Sequence, residues 1–191
     1  MRILQVDGFR ERTGDWTLAS MLRAAGHYVE ERECLQNWGT FNEVSLTDAQ
    51  RATGIATYSW GQASLVAVTS GQDSAMTPVE LLVVVLGVPD LLRGQSHSGS
   101  WFKPSWAKRV VCFQAQNAWP TSEWFKDEGH VWIAFEDPTL ISKALDATTP
   151  VVNINCDKLL AGCSGLHIHT HLMNHPEVQK VITELFSAIE S

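Results

Sequence analysis

Ile55-Ala56-Thr57-Tyr58-Ser59-Trp60-Gly61-Gln62-Ala63-Ser64-Leu65-Val66 is the stretch on which the reading of this chain turns. Ile55 to Tyr58 is a short apolar run of strand character. Gly61 to Thr69, rich in Ala, Leu and Val, reads as a buried helix, and only Ser59 and Trp60 lie between the two. A strand that passes so abruptly into a helix belongs to an α/β sheet. Working outward, Val79 to Val88 is a continuous apolar run, as expected of a strand covered on both faces in a parallel sheet. Arg2–Val6, Tyr28–Leu35, Arg109–Phe113 and Val151–Asn155 read as further strands, and Leu166–Thr170 as another. Apolar stripes at helical spacing follow Thr13-Gly14-Asp15 and end at Gly26. Further helices are expected over 47–53, 140–145 and 176–189. The expected architecture is a three-layer α/β/α sandwich with a mostly parallel central sheet, one domain over residues 1–191.

Composition narrows the function classes. Of 191 residues 45% are hydrophobic and 18% charged, the profile of a chain that folds around a core. A net charge of −7 without any basic run argues against nucleic acid, which demands clustered Lys and Arg. The apolar run 81–88 is too short for a membrane span. Met1 to Asp7 starts directly as a strand, without the features of a secretory leader, so a cytoplasmic location is expected. Cys34, Cys112, Cys156 and Cys163 match no metal or redox spacing and are expected as reduced thiols.

Three segments carry candidate chemistry. Thr57-Tyr58-Ser59-Trp60-Gly61 places a serine on a tight strand-to-helix turn with small residues two before and two after it, although a plain helix N-cap serine has the same local signature. Gln5-Val6-Asp7-Gly8-Phe9 ends the first strand. His169-Thr170-His171-Leu172-Met173-Asn174-His175-Pro176-Glu177-Val178 precedes the last helix. In this order the segments resemble the α/β-hydrolase superfamily, in particular its small lipase-like and cutinase-like serine hydrolases. Leu86-Gly87-Val88-Pro89 is similar to the Leu-Gly-Thr-Pro of lipases. The resemblance covers nearly the whole chain in motif order, without continuous similarity. Thr57 stands where glycine is commoner, and Asp7 stands where His is usual.

What the resemblance implies is an esterase working through an acyl-serine intermediate, with no cofactor. Ser59 would be the nucleophile and the backbone N–H groups of Phe9 and Trp60 the oxyanion donors. His169 would be the base, by its position relative to Leu172, Met173 and Val178, with His171 as its rival. The acid would be Asp157 if 151–156 is the last strand but one, or Glu123 if 109–113 is. The substrate would be a small-molecule ester with an apolar acyl part, reached past a loop over 89–108 that carries Trp101, Phe102 and Trp106. Two other readings compete. His167, His169 and His171 on one face of a strand would suit a metal-dependent hydrolase. The departures at Thr57 and Asp7 would suit a non-catalytic binding protein of the same fold.

Overall fold

The computed structural model describes residues 1–8, 16–35, 41–42, 44–88, 100–116, 118 and 124–190. Among them a sheet of eight strands runs in the order β3-β2-β1-β4-β5-β7-β10-β9. These are β1 (Arg2–Asp7), β2 (Tyr28–Leu35), β3 (Phe41–Asn42), β4 (Gly54–Tyr58), β5 (Leu81–Val85), β7 (Val110–Gln114), β9 (Val131–Ala134) and β10 (Val151–Asn155). All neighbours are parallel except the short edge pair of β2 with β3. Two further short strands, β6 (Ser100–Trp101) and β8 (Trp124–Phe125), pair with each other in parallel.

The apolar runs exist because the sheet is covered on both sides. Leu81, Val83 and Val85 of β5 enter one core, together with Ala56 and Tyr58 of β4 and Val111 and Phe113 of β7. The alternate residues Leu82, Val84, Ile55, Val110 and Cys112 enter the other. The first core is closed by α1 (Leu18–Ala24), α4 (Leu140–Leu145), α5 (Leu166–Met173) and α6 (Pro176–Glu190). The second is closed by α2 (Leu46–Arg51), α3 (Trp60–Thr69) and the segment carrying Met76, Trp106 and Phe125. The molecule is thus a three-layer α/β fold with a mostly parallel sheet.

Local signals explain individual elements. Ser45 caps α2 through a reciprocal capping box with Asp48, and Arg32 of β2 holds the same carboxylate at 2.8 Å, so sheet and helix share one anchor. Burial would raise the Asp48 pKa, but the hydrogen bonds from Arg32 and Ser45 outweigh it and hold the carboxyl below its ordinary value.

One expected strand is a helix. Residues 166–173 form α5, because Ile168, His169, Leu172 and Met173 are buried as a stripe repeating every four residues. The alternation of His167, His169 and His171 suggests a period of two, but the apolar residues beside them follow the helical one. Part of the loop expected over 89–108 is also tied into the fold. Trp106 and Ala107 are buried, and Val79 bonds Trp106 and Lys108 through the backbone on either side. Phe102 is exposed, and residues 89–99 lie outside the described residues.

Helix α5 begins after Gly165, whose φ of 59° and ψ of −132° are costly for any residue with a Cβ. A Cβ there would meet nothing within 4 Å. Gly165→Ala is therefore a test of backbone strain alone. It should lower the free energy of unfolding by about 1–2 kcal/mol, read from the urea midpoint at unchanged m-value.

Candidate functional site

Strand β4 lies in the middle of the sheet between β1 and β5, and Ser59 follows it directly. Its φ of 52° and ψ of −124° put a side-chain-bearing residue where glycine is preferred. Such a conformation costs of order 1–3 kcal/mol and persists only where the surroundings over-determine it. Here they do. The Ser59 N–H donates to Val85 O at 3.0 Å, and the Val88 N–H donates to Ser59 O at 3.1 Å. The turn is stitched to the end of β5 from both sides. Leu86, between these two partners, is itself at a φ of 47°.

Three neighbours complete the turn. At Gly61 a Cβ would lie 2.2 Å from Val6 O, so the first turn of α3 can rest on β1 only without a side chain. At Gly8 a Cβ would lie 2.8 Å from the Ser59 Cβ and 3.1 Å from Tyr58 O, so the chain leaving β1 passes directly against the serine. Thr57, buried in β4, donates its hydroxyl to Gln62 Oε1 at 2.7 Å and ties the strand before the turn to the helix after it. That bond gives the unusual residue at this position a task, and the pairing of Thr57 with Gln62 five residues on was its one trace in the sequence.

Ser59 is fully buried, and its hydroxyl has no hydrogen-bond partner among the described residues. Trp60 opens α3, where first-turn N–H groups lack intrahelical acceptors. Asp7 is buried at the end of β1, its carboxylate accepting from Gln5 Nε2 at 2.8 Å. Phe9, the expected companion of Trp60, and Glu123 lie outside the described residues.

His169, on α5, is also fully buried. Its ring meets that of Tyr58, the residue before Ser59, edge-on with centroids 6.1 Å apart. Both ring nitrogens are without partners among the described residues, so no hydrogen bond joins His169 to Ser59 or to Asp157 in this conformation. Burial lowers the His169 pKa to about 4 and keeps the imidazole neutral at neutral pH. His167 and His171 are exposed on the opposite side of α5. The helix thus separates the three imidazoles that a strand would have gathered, which removes the reading of them as one metal site. Among the described residues no group of three or more His, Cys, Asp or Glu side chains is placed to hold a metal ion.

Asp157 stands after β10, where Oδ1 accepts the Gln116 N–H at 2.8 Å. Its expectation as acid assumed a further strand over 166–170. With that segment helical, β10 is the last strand in the chain and Asp157 follows it. Asp157 lines a cleft of about 700 Å³ at the ends of β7, β9 and β10, whereas neither Ser59 nor His169 does. Cys112 and Cys156 are buried, and burial raises both thiols, that of Cys112 to about 12, so neither is activated as a nucleophile. No described helix is long and apolar enough to cross a membrane.

No family model matches the chain, and no curated protein matches it in sequence. Its fold is similar to that of the esterase domain of a Rhodothermus marinus protein, at 10% identity and a TM-score of 0.52 over 97% of this chain and 85% of that one. ClbQ from the colibactin NRPS/PKS pathway aligns over 99% of this chain and 98% of its own, at 9% identity and a TM-score of 0.48.

Substitutions at two residues report on the site without any substrate. Ser59→Gly relieves both the strain at positive φ and the unpartnered hydroxyl, and should raise the free energy of unfolding by about 1 kcal/mol more than Ser59→Ala, which relieves the hydroxyl alone. For His169 the folded pKa lies below the unfolded one. The unfolded chain then binds the extra proton as pH falls from about 6.5 towards about 4, and stability falls with it. His169 should contribute about 2 kcal/mol of stability loss between pH 7 and pH 5. His169→Gln should flatten urea-unfolding free energies over that interval.

Proposed function

We propose that this protein is a serine hydrolase of carboxylic esters, with Ser59 as the nucleophile of an acyl-enzyme mechanism. The observation that carries the proposal is Ser59 itself. It is a residue with a side chain held at positive φ at the end of a central parallel strand, its hydroxyl buried and unpartnered. A strained backbone and an unsatisfied buried hydroxyl both cost stability, and both are accounted for if that oxygen must be presented to a substrate. Similarity of fold to an esterase domain supports the same class of reaction.

In the proposed mechanism His169 takes the Ser59 proton as its oxygen attacks the ester carbonyl, and returns it to the leaving alcohol. Water then cleaves the acyl-serine by the same route. A neutral imidazole is needed for the first step, and burial keeps His169 neutral. To act, its ring must turn into hydrogen-bonding range of Ser59, a closure that substrate binding would drive. The Trp60 and Phe9 N–H groups would receive the oxyanion, the first of them at the positive end of α3. Asp157 and Glu123 are the two candidates for the carboxylate that orients the base. The acyl part would be apolar, with Phe102 as the one exposed aromatic of the expected loop left to meet it among the described residues.

Labelling by a fluorophosphonate and turnover of p-nitrophenyl butyrate test the proposal together. Ser59→Ala should abolish labelling and lower kcat by at least about 10³-fold. Because the His169 pKa is held at about 4, kcat/KM should rise with pH only below about pH 5 and stay level from there to pH 8. Asp157→Asn and Glu123→Gln, compared in the same assay, assign the acid to whichever change lowers kcat more. A wild-type protein that neither labels nor turns over any ester would be the non-catalytic binding protein instead.

A further inference from the structure

The cleft at the ends of β7, β9 and β10 includes Asp157, one of the two candidate acids, but neither Ser59 nor His169, and its lining is unusual. One wall is aromatic. Trp132 on β9 is 46% exposed, and its ring meets that of Trp124 with centroids 5.4 Å apart at 58°. Trp124 is held in turn by His130, 5.2 Å away. An indole left half in water on an edge strand is costly unless something covers it. Much of the remaining lining is polar and unpaired. The side chains of Gln116, Glu136 and Lys158 have no hydrogen-bond or ion-pair partner among the described residues. Asn155 spends only its oxygen, on the Asp157 N–H at 2.7 Å.

We propose that this cleft binds a saccharide. Charge decides between ligand classes. Two carboxylates, Glu136 and Asp157, line the cleft and oppose an anion. Lys158 lines it as well, and Lys126 already lies over the Trp124 ring at 5.8 Å, so the aromatic corner is a poor cage for a cation. Apolar surface beside amide, carboxylate and ammonium groups, with Lys158 offsetting one of the two carboxylates, suits a neutral ligand that has both apolar and polar faces. A pyranose ring is such a ligand, with C–H groups on its faces to lie on an indole and hydroxyls round its edge to bond carboxamides and carboxylates. About 700 Å³ is room for an oligosaccharide of a few rings.

The site also lies on the same rim of the sheet as Ser59. Strand β7 is two places from β4, about 10 Å at the usual strand spacing. A substrate could therefore hold its sugar in the cleft and present an ester at Ser59, and this link alone rests on the serine reading above.

Isothermal titration calorimetry with cello-, xylo-, manno- and chitotetraose, and with choline as the cationic probe, tests the proposal on the whole protein. At least one oligosaccharide should bind, and choline should not. Trp132→Ala should weaken that binding about tenfold with only a small fall in Tm, since about half of the residue is already exposed. Gln116→Ala should weaken it too. Ser59→Ala should bind as the wild type does, which separates this site from the hydrolase reading. Binding by none of the four sugars, binding unaffected by Trp132→Ala, or binding of choline in their place would overturn the proposal.

Discussion

The structure hangs on one strained residue and the two backbone hydrogen bonds that hold it. Ser59 turns the chain from the central strand β4 into α3 within a single residue, and it does so at positive φ with a side chain attached. Its N–H and C=O are both committed to the segment that ends β5, through Val85 and Val88. Each net bond contributes about 1 kcal/mol, comparable with the strain it opposes. The rest of the site follows from that geometry. A turn this tight brings α3 down onto β1, which is why Gly61 cannot carry a Cβ, and it brings the chain after β1 against the serine, which is why Gly8 cannot either.

Burial sets the chemistry as firmly as the backbone does. The first core closes round Tyr58 and sets α5 beside it, and His169 is carried inward with Ile168, Leu172 and Met173. An imidazole placed there with no partner for either nitrogen destabilises the fold, and more so as pH falls. A structural histidine in such a place would be expected to donate to a carbonyl or carboxylate. The ring of His169, with both nitrogens orphaned, meets that of Tyr58, the residue before Ser59 with its orphaned hydroxyl.

Much of this was legible in the sequence, and the failures have a common physical origin. Apolar runs such as 81–85 and 151–155 announce strands buried on both faces, and the abrupt junction at Ser59 announces the turn, because both signals are local. The segment 166–173 misled because its histidines alternate with period two while its apolar residues repeat with period four, and only the packed core decides which period is used. With no strand there, the count that favoured Asp157 over Glu123 no longer separates the two. The strands β6 and β8 are two residues long and β9 four, too short for a local pattern to announce them, so their pairing is set by neighbours distant in sequence. Trp106 read as a loop aromatic for the same reason: its burial depends on Val79, which the chain reaches from the other direction.

The order of the strands also separates two demands that are hard to meet in one place. The chemistry proposed for Ser59 would need a dry, over-determined turn, and the middle of a parallel sheet provides one because β4 has hydrogen-bonded neighbours on both sides. Recognition of a hydrated ligand needs polar groups that are free to bond it, and these cannot be buried without cost. They collect instead towards the β9 edge, where Trp132, Glu136 and Lys158 keep access to water while the ends of β7 and β10 supply a rigid floor. Because both proposed sites sit on strands of one sheet, their separation is fixed by strand spacing rather than by a loop. A ligand held at the edge would then meet the serine at a defined distance, and fixed distance is what turns binding at one point into positioning at another.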